Sequence, residues 1–499
     1  MDIVSKSDDA PAQAGTPKGE KRQFRKVAAR GAAYSGLAQG LKILLSMASV
    51  IVVARLLAPT DFGVIAMTTP ITGFILIFQN LGLNQAVVQA RTISEEQTNA
   101  LFFYNLAASA AIALIFLAIS PLVGLFYGDP RPAYITAASA LTVLLTGTTL
   151  QHTALLNRAM RFRALSFVDI TTAAASLLFT IGFALWLRNF WALWLGAFCG
   201  TVVNALLVWR IDRWRPSRRI VWGSARNMVK FGANLTGFNF MNFIRKNIDN
   251  VLIAKMWGSS ALGLYDRSYK LMMFPLEKVN SPLARVMLPA LARVQDEPGR
   301  YRRMFLLAIQ TLSIFSVPGI MAVAMCSDLV IPLLFGARWT DASPIFFWLS
   351  LAAVTQPVSN ATGWLFISSG RTKEMFHWGL YSTPVTIAAF LIGLPWGPVG
   401  VAKAYFLSQA VTVPVLYYWC TRDTPVSARD LYAAIVPTLL GGILAWGVVN
   451  LARGELSTIP LLATAFACSY GFSIAVQGAT KKGRAALVEM TRLLSAARP

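Results

Sequence analysis

The chain has 499 residues, 56% hydrophobic and 13% charged, with a mean hydropathy of +0.55 and a formal net charge of +23. A soluble protein of this size would expose that apolar surface and aggregate, and the ~10-residue alternating segments of a β-barrel are not seen. The composition therefore defines an all-α polytopic membrane protein. In a soluble chain the positive charge would point to nucleic acid; here most basic residues fall in loops on one side of the membrane, so topology accounts for it and no nucleic-acid partner is expected.

Residues 1–30 are polar and carry Lys6, Lys18, Lys21, Arg22, Arg25, Lys26 and Arg30 without an apolar run. They read as a basic cytosolic tail and not as a signal peptide. Fourteen apolar stretches follow, each long enough to cross a hydrocarbon core of ~30 Å. They are placed at 31–54, 62–88, 99–125, 132–153, 165–187, 190–209, 231–254, 262–291, 304–334, 342–368, 375–394, 397–420, 430–450 and 457–478. The turn sequences APTDFG, YGDPRP, RWRPSRR, DEPGR, GARWTD, WGP and TRDTP punctuate them. The basic stretch 210–230 reads as a cytoplasmic linker that also suits anionic lipid headgroups. With both termini cytoplasmic, the outer loops keep only Arg55, Arg131, Arg188, Lys255, Arg338 and Arg453, as the positive-inside rule requires. No loop is long enough for a folded soluble domain.

Two stretches 200 residues apart read alike. VVARLLAPTDFGVI (52–65) lines up with LIAKMWGSSALGLY (252–265), placing Ala54 on Ala254, Arg55 on Lys255 and Gly63 on Gly263. At an offset of 210, LLNRAMRFR (155–163) lines up with LFISSGRTK (365–373), matching Arg161 to Arg371 and Arg163 to Lys373. Each repeat holds six spans, an even number, so the repeats are parallel and related by an axis along the membrane normal. The expected organisation is an N-lobe at 31–209, the linker at 210–230, a C-lobe at 231–420, and a segment at 421–499 with two further spans and a second basic tail. A bundle built twice usually holds its substrate between the halves, which points to a transporter.

Charges inside the spans locate the candidate site. Lys42, Arg245, Lys246, Arg267, Lys270, Lys278, Arg285 and Lys403 fall within apolar stretches, with Asp249, Asp266 and Glu277 among them. A charge at the centre of a span costs ~2.5–3.5 kcal/mol on insertion scales, so such groups face water or one another. In span 7, Asn239, Asn242, Arg245 and Asp249 recur every three or four residues; in span 8, Arg267, Lys270, Phe274, Lys278, Ser281 and Arg285 do the same; in span 1, Gln39, Lys42 and Ser46 do too. Each set lies on one helix face. The plain reading is structural ion pairing, since Arg245–Asp249 and Asp266–Lys270 have i,i+4 spacing, with Arg267 and Arg285 snorkelling at the ends of span 8. Charge counting limits it: spans 7 and 8 hold six cations against three carboxylates, and span 1 holds no acid for Lys42. Lys403 fits either reading. The cationic cleft so defined, with Lys42, Asn242, Arg245, Arg267, Lys270, Lys278 and Arg285, suits an anionic substrate whose phosphate oxygens accept its donors. Asp249 and Glu277 are the candidates for coupling to an ion.

The prolines within spans, Pro70, Pro275, Pro282, Pro318, Pro357 and Pro384, permit kinks, and each alone reads as a static kink. Gln79, Asn80, Asn84 and Gln85 in span 2 read as helix–helix glue before they read as cleft lining. Cys199, Cys326, Cys420 and Cys468 are scattered, without CxxC spacing, so neither a metal nor a disulfide is assigned. No phosphate-binding GxxxxGK[ST] loop, HExxH or GxSxG occurs, and neither an enzymatic activity nor a cofactor is expected.

Taken together, ARLLAPTDFG after span 1, LLNRAMRFR after span 4, LGLYDRSYKLMMFPLEKV in span 8, RVMLPAL near its end and LLFGARWTDASPIFFWLSL leading into span 10 resemble bacterial polysaccharide and O-antigen flippases of the multidrug/oligosaccharidyl-lipid/polysaccharide exporter superfamily. The resemblance covers about residues 30–480. It implies two six-helix lobes in a V shape plus two C-terminal helices, in the bacterial inner membrane. It implies translocation of undecaprenyl-pyrophosphate-linked oligosaccharide repeat units by alternating access, for O-antigen, capsule or exopolysaccharide. The implied partners are membrane lipids, the lipid-linked glycan, a polysaccharide polymerase and a chain-length regulator. The family's cationic lumen would fall on Lys42, Arg245, Arg267 and Lys270. The duplication does not preserve it, because Leu45 stands opposite Arg245. Two alternatives are a multidrug exporter of the same superfamily, whose cationic drugs a basic cleft would repel, and a membrane glycan ligase or polymerase, which the short outer loops disfavour.

Overall fold

The computed structural model describes residues 40–41, 43–80, 93–217, 221, 226–480, 483–485 and 487–489; side chains within helices are described except at 74–80, 226–246, 275 and 277–282. The regular structure among the described residues is helical. In chain order it comprises α1 (Ile43–Leu56), α2 (Pro59–Asn80), α3 (Glu95–Tyr127), α4 (Pro130–Gly147), α5 (Leu150–Arg158), α6 (Phe162–Leu187), α7 (Trp191–Ile211), α8 (Arg226–Arg293), α9 (Pro298–Met325), α10 (Ser327–Phe335), α11 (Ser343–Ala353), α12 (Gln356–Ser368), α13 (Thr372–Gly393), α14 (Gly397–Thr421), α15 (Ala428–Ala452) and α16 (Thr458–Ala479). Short 3₁₀ turns at Ala337–Ala342 and Leu394–Trp396 join α10 to α11 and α13 to α14.

Local chemistry sets the ends. Ser94 caps α3 in a reciprocal box: its hydroxyl accepts from the Gln97 amide at 3.1 Å, and its own amide donates to the Gln97 side chain at 3.0 Å. Asp129 caps α4 ahead of Pro130, and Ser427 with Asp430 repeats the box at α15. Three expected spans are broken in the middle. Span 4 divides into α4 and α5 where Thr148 and Thr149 turn their hydroxyls onto the carbonyls of Leu145 and Thr146. Span 9 divides at Cys326. Span 10 divides just before Pro357, which opens α12 and cannot continue α11. Spans 7 and 8 are two helices, as expected, but they meet at a kink at Gly258 (φ 75°) with no loop between; the label α8 covers both.

Among the described residues, eight stretches are long and apolar enough to cross a membrane, one of them running from Thr372 to Thr421 through α13 and α14, and in seven of the eight less than half of the most apolar window is buried. Leu451, Trp186 and Leu125 are 85%, 77% and 77% exposed, which only a lipid solvent makes favourable. Helices pack as neighbours in sequence: α3 on α4, α6 on α7, α13 on α14, and α15 on α16. The last two also dock on α9, where Ser313, Thr438 and Ser473 form a buried hydrogen-bond chain. The principal long-range packing lays α2 along α8.

The second sequence repeat is built twice in three dimensions. In the α5–α6 turn the Arg161 amide donates to Leu156 at 3.0 Å; in the α12–α13 turn the Arg371 amide donates to Phe366 at 2.8 Å. The residue before each arginine is left-handed, Met160 at φ 53° and Gly370 at φ 71°. Glycine adopts that conformation freely, whereas a methionine pays ~1–2 kcal/mol. Each guanidinium then closes the last turn of a helix. Arg161 donates to Ile211 at the end of α7. Arg371 donates to Trp419, Cys420 and Arg422 at the end of α14.

Candidate functional site

The described part of the candidate site is carried by α8 beyond Gly258. Lys270 and Asp266 are one turn apart, and the ammonium lies 2.9 Å from the carboxylate. Arg267 is 3.7 Å from the other oxygen of Asp266, too far for a hydrogen bond; among the described residues that oxygen and the Arg267 Nε have no hydrogen-bond partner. The Arg267 guanidinium instead stacks on the ring of Phe62 in α2, 4.3 Å from its centre. Two cations thus share one carboxylate that is itself 3% exposed. Lys270 itself is exposed, with 47% of its side chain accessible. An ammonium with one donor on Asp266 keeps two more that can meet an anion.

Asp249 is buried apart from this group. Tyr265 donates its phenol to one oxygen at 3.0 Å and the Asn250 amide donates to the other at 2.9 Å. Tyr269 stacks on Tyr265. Arg285 is exposed, and Lys403 lies over the ring of Trp348 at 5.5 Å. The expected pair Asp266–Lys270 is therefore formed. Lys42 lies outside the described residues, and the side chains of Asn242, Arg245, Glu277 and Lys278 do as well, so their relation to Lys270 and Arg267 rests on helical phase.

The end of α8 nearest Gly258 meets α1 and α2 in a junction that sequence reasoning had not assembled. A Cβ at Gly63 would overlap the carbonyl of Ser259, and a Cβ at Gly263 would overlap the carbonyl of Pro59. Pro59 and Ser259 are also 200 residues apart, so these are one contact made twice about a two-fold relation. Five hydrogen bonds cross the same junction. Arg55, at the end of α1, donates to the Leu333 and Leu334 carbonyls near the end of α10. Lys255 donates to the Phe126 carbonyl near the end of α3, with its ammonium over the Phe126 ring. Trp339, fully buried, donates to Ala54 at 2.8 Å and packs edge-on against Phe62. Arg131, paired with Asp129 at 2.6 Å, reaches Ser259 at 3.1 Å. A cation at a helix carboxyl end satisfies its last carbonyls and is worth ~0.3–1 kcal/mol at an exposed position. The sequence carries the signal as the match of Arg55 to Lys255, which by itself marks a duplication and two outer-loop cations but names no acceptor.

These features define a helical membrane protein, and its fold is one seen in solved membrane proteins. A lipid II flippase structure, MurJ in an inward closed conformation, superposes with a TM-score of 0.71 at 12% identity, over 89% of this chain and 98% of that one. An inward-facing multidrug resistance MATE family transporter superposes with a TM-score of 0.62 at 13% identity, over 78% and 95%. The chain belongs to the family described as polysaccharide biosynthesis protein, which matches residues 52–344. Among its relatives are the lipopolysaccharide biosynthesis protein WzxC of Escherichia coli (strain K12), 24% identical over 78% of this chain and 80% of that protein. The succinoglycan biosynthesis transport protein ExoT of Rhizobium meliloti (strain 1021) is 24% identical over 83% and 86%.

Proposed function

We propose that this chain flips undecaprenyl-pyrophosphate-linked oligosaccharide repeat units across the bacterial cytoplasmic membrane by alternating access, supplying O-antigen, capsule or exopolysaccharide synthesis. The observation that carries the reading is Lys270: an accessible cation in a stretch expected to span the membrane, and one of two sharing a single buried carboxylate. Family membership and the names of the relatives support the polysaccharide assignment. In this proposal the chain crosses the membrane fourteen times with both termini cytoplasmic. The lobes at 31–209 and 231–420 are joined by the basic linker 210–230, and 421–499 adds the last two crossings. Lys42, Asn242, Arg245, Lys278 and Arg285 join Arg267 and Lys270 in drawing in the pyrophosphate, while the polyprenyl tail stays in lipid. The interior-negative potential favours outward movement of an anion by ~2.3 kcal/mol per unit charge per 100 mV. Asp249 and Glu277 are assigned to ion coupling. A polymerase and a chain-length regulator would take the product.

The test is a deletion strain complemented with Lys270→Glu or Arg245→Glu. Export should stop at unchanged protein level, with single lipid-linked repeat units accumulating on the inner leaflet. Normal export in both variants rejects the cationic cleft. Accumulation on the outer leaflet in the deletion strain assigns the chain to polymerisation or ligation instead. Altered drug susceptibility with normal export assigns it to the multidrug class that shares the fold.

A further inference from the structure

We infer that Arg55 and Lys255 are a matched pair of latches that hold one end of the molecule shut, and that this end opens only when both release. The inference rests on the alternating-access reading and concerns the device that sets the state.

The two residues occupy the same position in the two copies of the repeat. Each follows or lies near the end of the first helix of its half, and each reaches across to the other half. Arg55 grips carbonyls at the end of α10, and Lys255 grips the carbonyl of Phe126 at the end of α3. The acceptors are backbone oxygens that a closing helix leaves without an intrahelical partner, so the bonds form only when the opposite half is in place. Both cations are exposed. Each can therefore exchange a carbonyl for water, which makes the contact reversible where a buried ion pair would be costly to break. The glycine contacts at Gly63 and Gly263 lie beside the latches and allow the backbones to meet.

The other duplicated cations behave in the opposite way. Arg161 and Arg371 each close a helix end within their own half, at Ile211 and at Trp419, Cys420 and Arg422. One pair of repeated cations thus ties the halves together, and the other stiffens each half singly. A hinge motion that parts the first contact leaves the second intact. By the charge pattern the latched end is the outer one, since Arg55 and Lys255 are among the few cations of the outer loops.

The test uses purified full-length protein in detergent, with maleimide labelling followed peptide by peptide. This resolves the reporter from the native Cys199, Cys326, Cys420 and Cys468. Reporters are Ser259→Cys and, separately, Leu262→Cys, at positions 8% and 0% exposed at the junction. A third, Leu156→Cys, sits at the other end at 1% exposed. The double variant Arg55→Gln/Lys255→Gln should label five-fold or more faster at both junction reporters and not at Leu156→Cys. The double exchange Arg55→Lys/Lys255→Arg, which keeps a long cationic side chain at each place where glutamine leaves a shorter neutral one, should restore the slow rate. Unchanged labelling in the glutamine variant overturns the inference, and so does an equal rise at all three reporters. No glycan is present in the assay, so the result is independent of whether the substrate has been assigned correctly.

Discussion

Replacing Gly63 by alanine is the sharpest single perturbation of the junction between α2 and α8. A methyl group there would sit inside the van der Waals radius of the Ser259 carbonyl, and its equivalent at Gly263 would meet the Pro59 carbonyl. Both obstacles are backbone, so no rotamer change relieves them and the helices must separate. Overpacking of this kind costs ~1–3 kcal/mol, and at 1.4 kcal/mol per tenfold the junction should loosen by about 5- to 150-fold. The pair Gly63→Ala/Gly263→Ala should cost less than the sum of the singles, because one separation clears both contacts. The assay is the melting temperature of the purified protein, with Gly182→Ala as control; Gly182 lies in α6 with open space where its Cβ would be. We expect each junction variant to melt a few degrees lower and the control to be unchanged or higher, since alanine is the better helix former by ~1 kcal/mol. A Gly63→Ala protein that melts like wild type would refute the close approach, and with it the two-fold contact.

Asp430→Ala should destabilise by about 2–4 kcal/mol in the same assay, since it removes the α15 cap and orphans the bonds from Ser427 and Arg302 at 2.7–3.1 Å; an unchanged melt would place that cap outside the stability of the fold. The Asp129 carboxyl is held below the ordinary carboxylate range, chiefly by its hydrogen bonds from Arg131. Its stabilisation is complete above the unfolded value near ~3.9 and is lost only as pH falls through the lower folded one. Because only the thiolate reacts, the junction rate is divided at each pH by that of an exposed thiol; the ratio should be flat from neutral pH to about pH 5, whereas Asp129→Asn should raise it throughout, and a steep rise of the ratio between pH 7 and 5 without that substitution would contradict the assignment. His152 is buried among Phe102, Trp209 and Trp214 and holds Asp212 at 2.8 Å, so His152→Ala should speed trypsin cleavage at Arg213 and Arg215 several-fold. Equal cleavage rates would mean that the linker start is held without His152, by the Asn99–Ser217 bonds and the grip of Arg215 on Trp209.

Much of the site was legible one helix at a time. The i,i+4 spacing of Asp266 and Lys270 placed them together, and the structure has their charged ends 2.9 Å apart. Phase put Arg267 on the same face but did not give its partner, because Phe62 is two hundred residues away and reaches it only through the packing of α2 on α8. Asp249 was expected beside Arg245; in the structure its described partners are the phenol of Tyr265, across the Gly258 break, and the Asn250 amide. The breaks in spans 4, 9 and 10 escaped a hydropathy reading, since one or two residues at Thr148–Thr149, Cys326 and Pro357 are outweighed by the apolar residues around them.

What the amino-acid order determined unaided is the class of molecule. An apolar chain in lipid must satisfy its backbone within each segment, so long hydrophobic runs commit to helices before any tertiary contact exists. The repeat, too, was readable, because it is a one-dimensional fact. Which repeated residues join the halves and which stay within one was decided only by packing. Arg55 and Arg161 carry the same guanidinium at the same kind of place, a helix end; only the three-dimensional course of the chain brings a distant carbonyl to the first and a near one to the second.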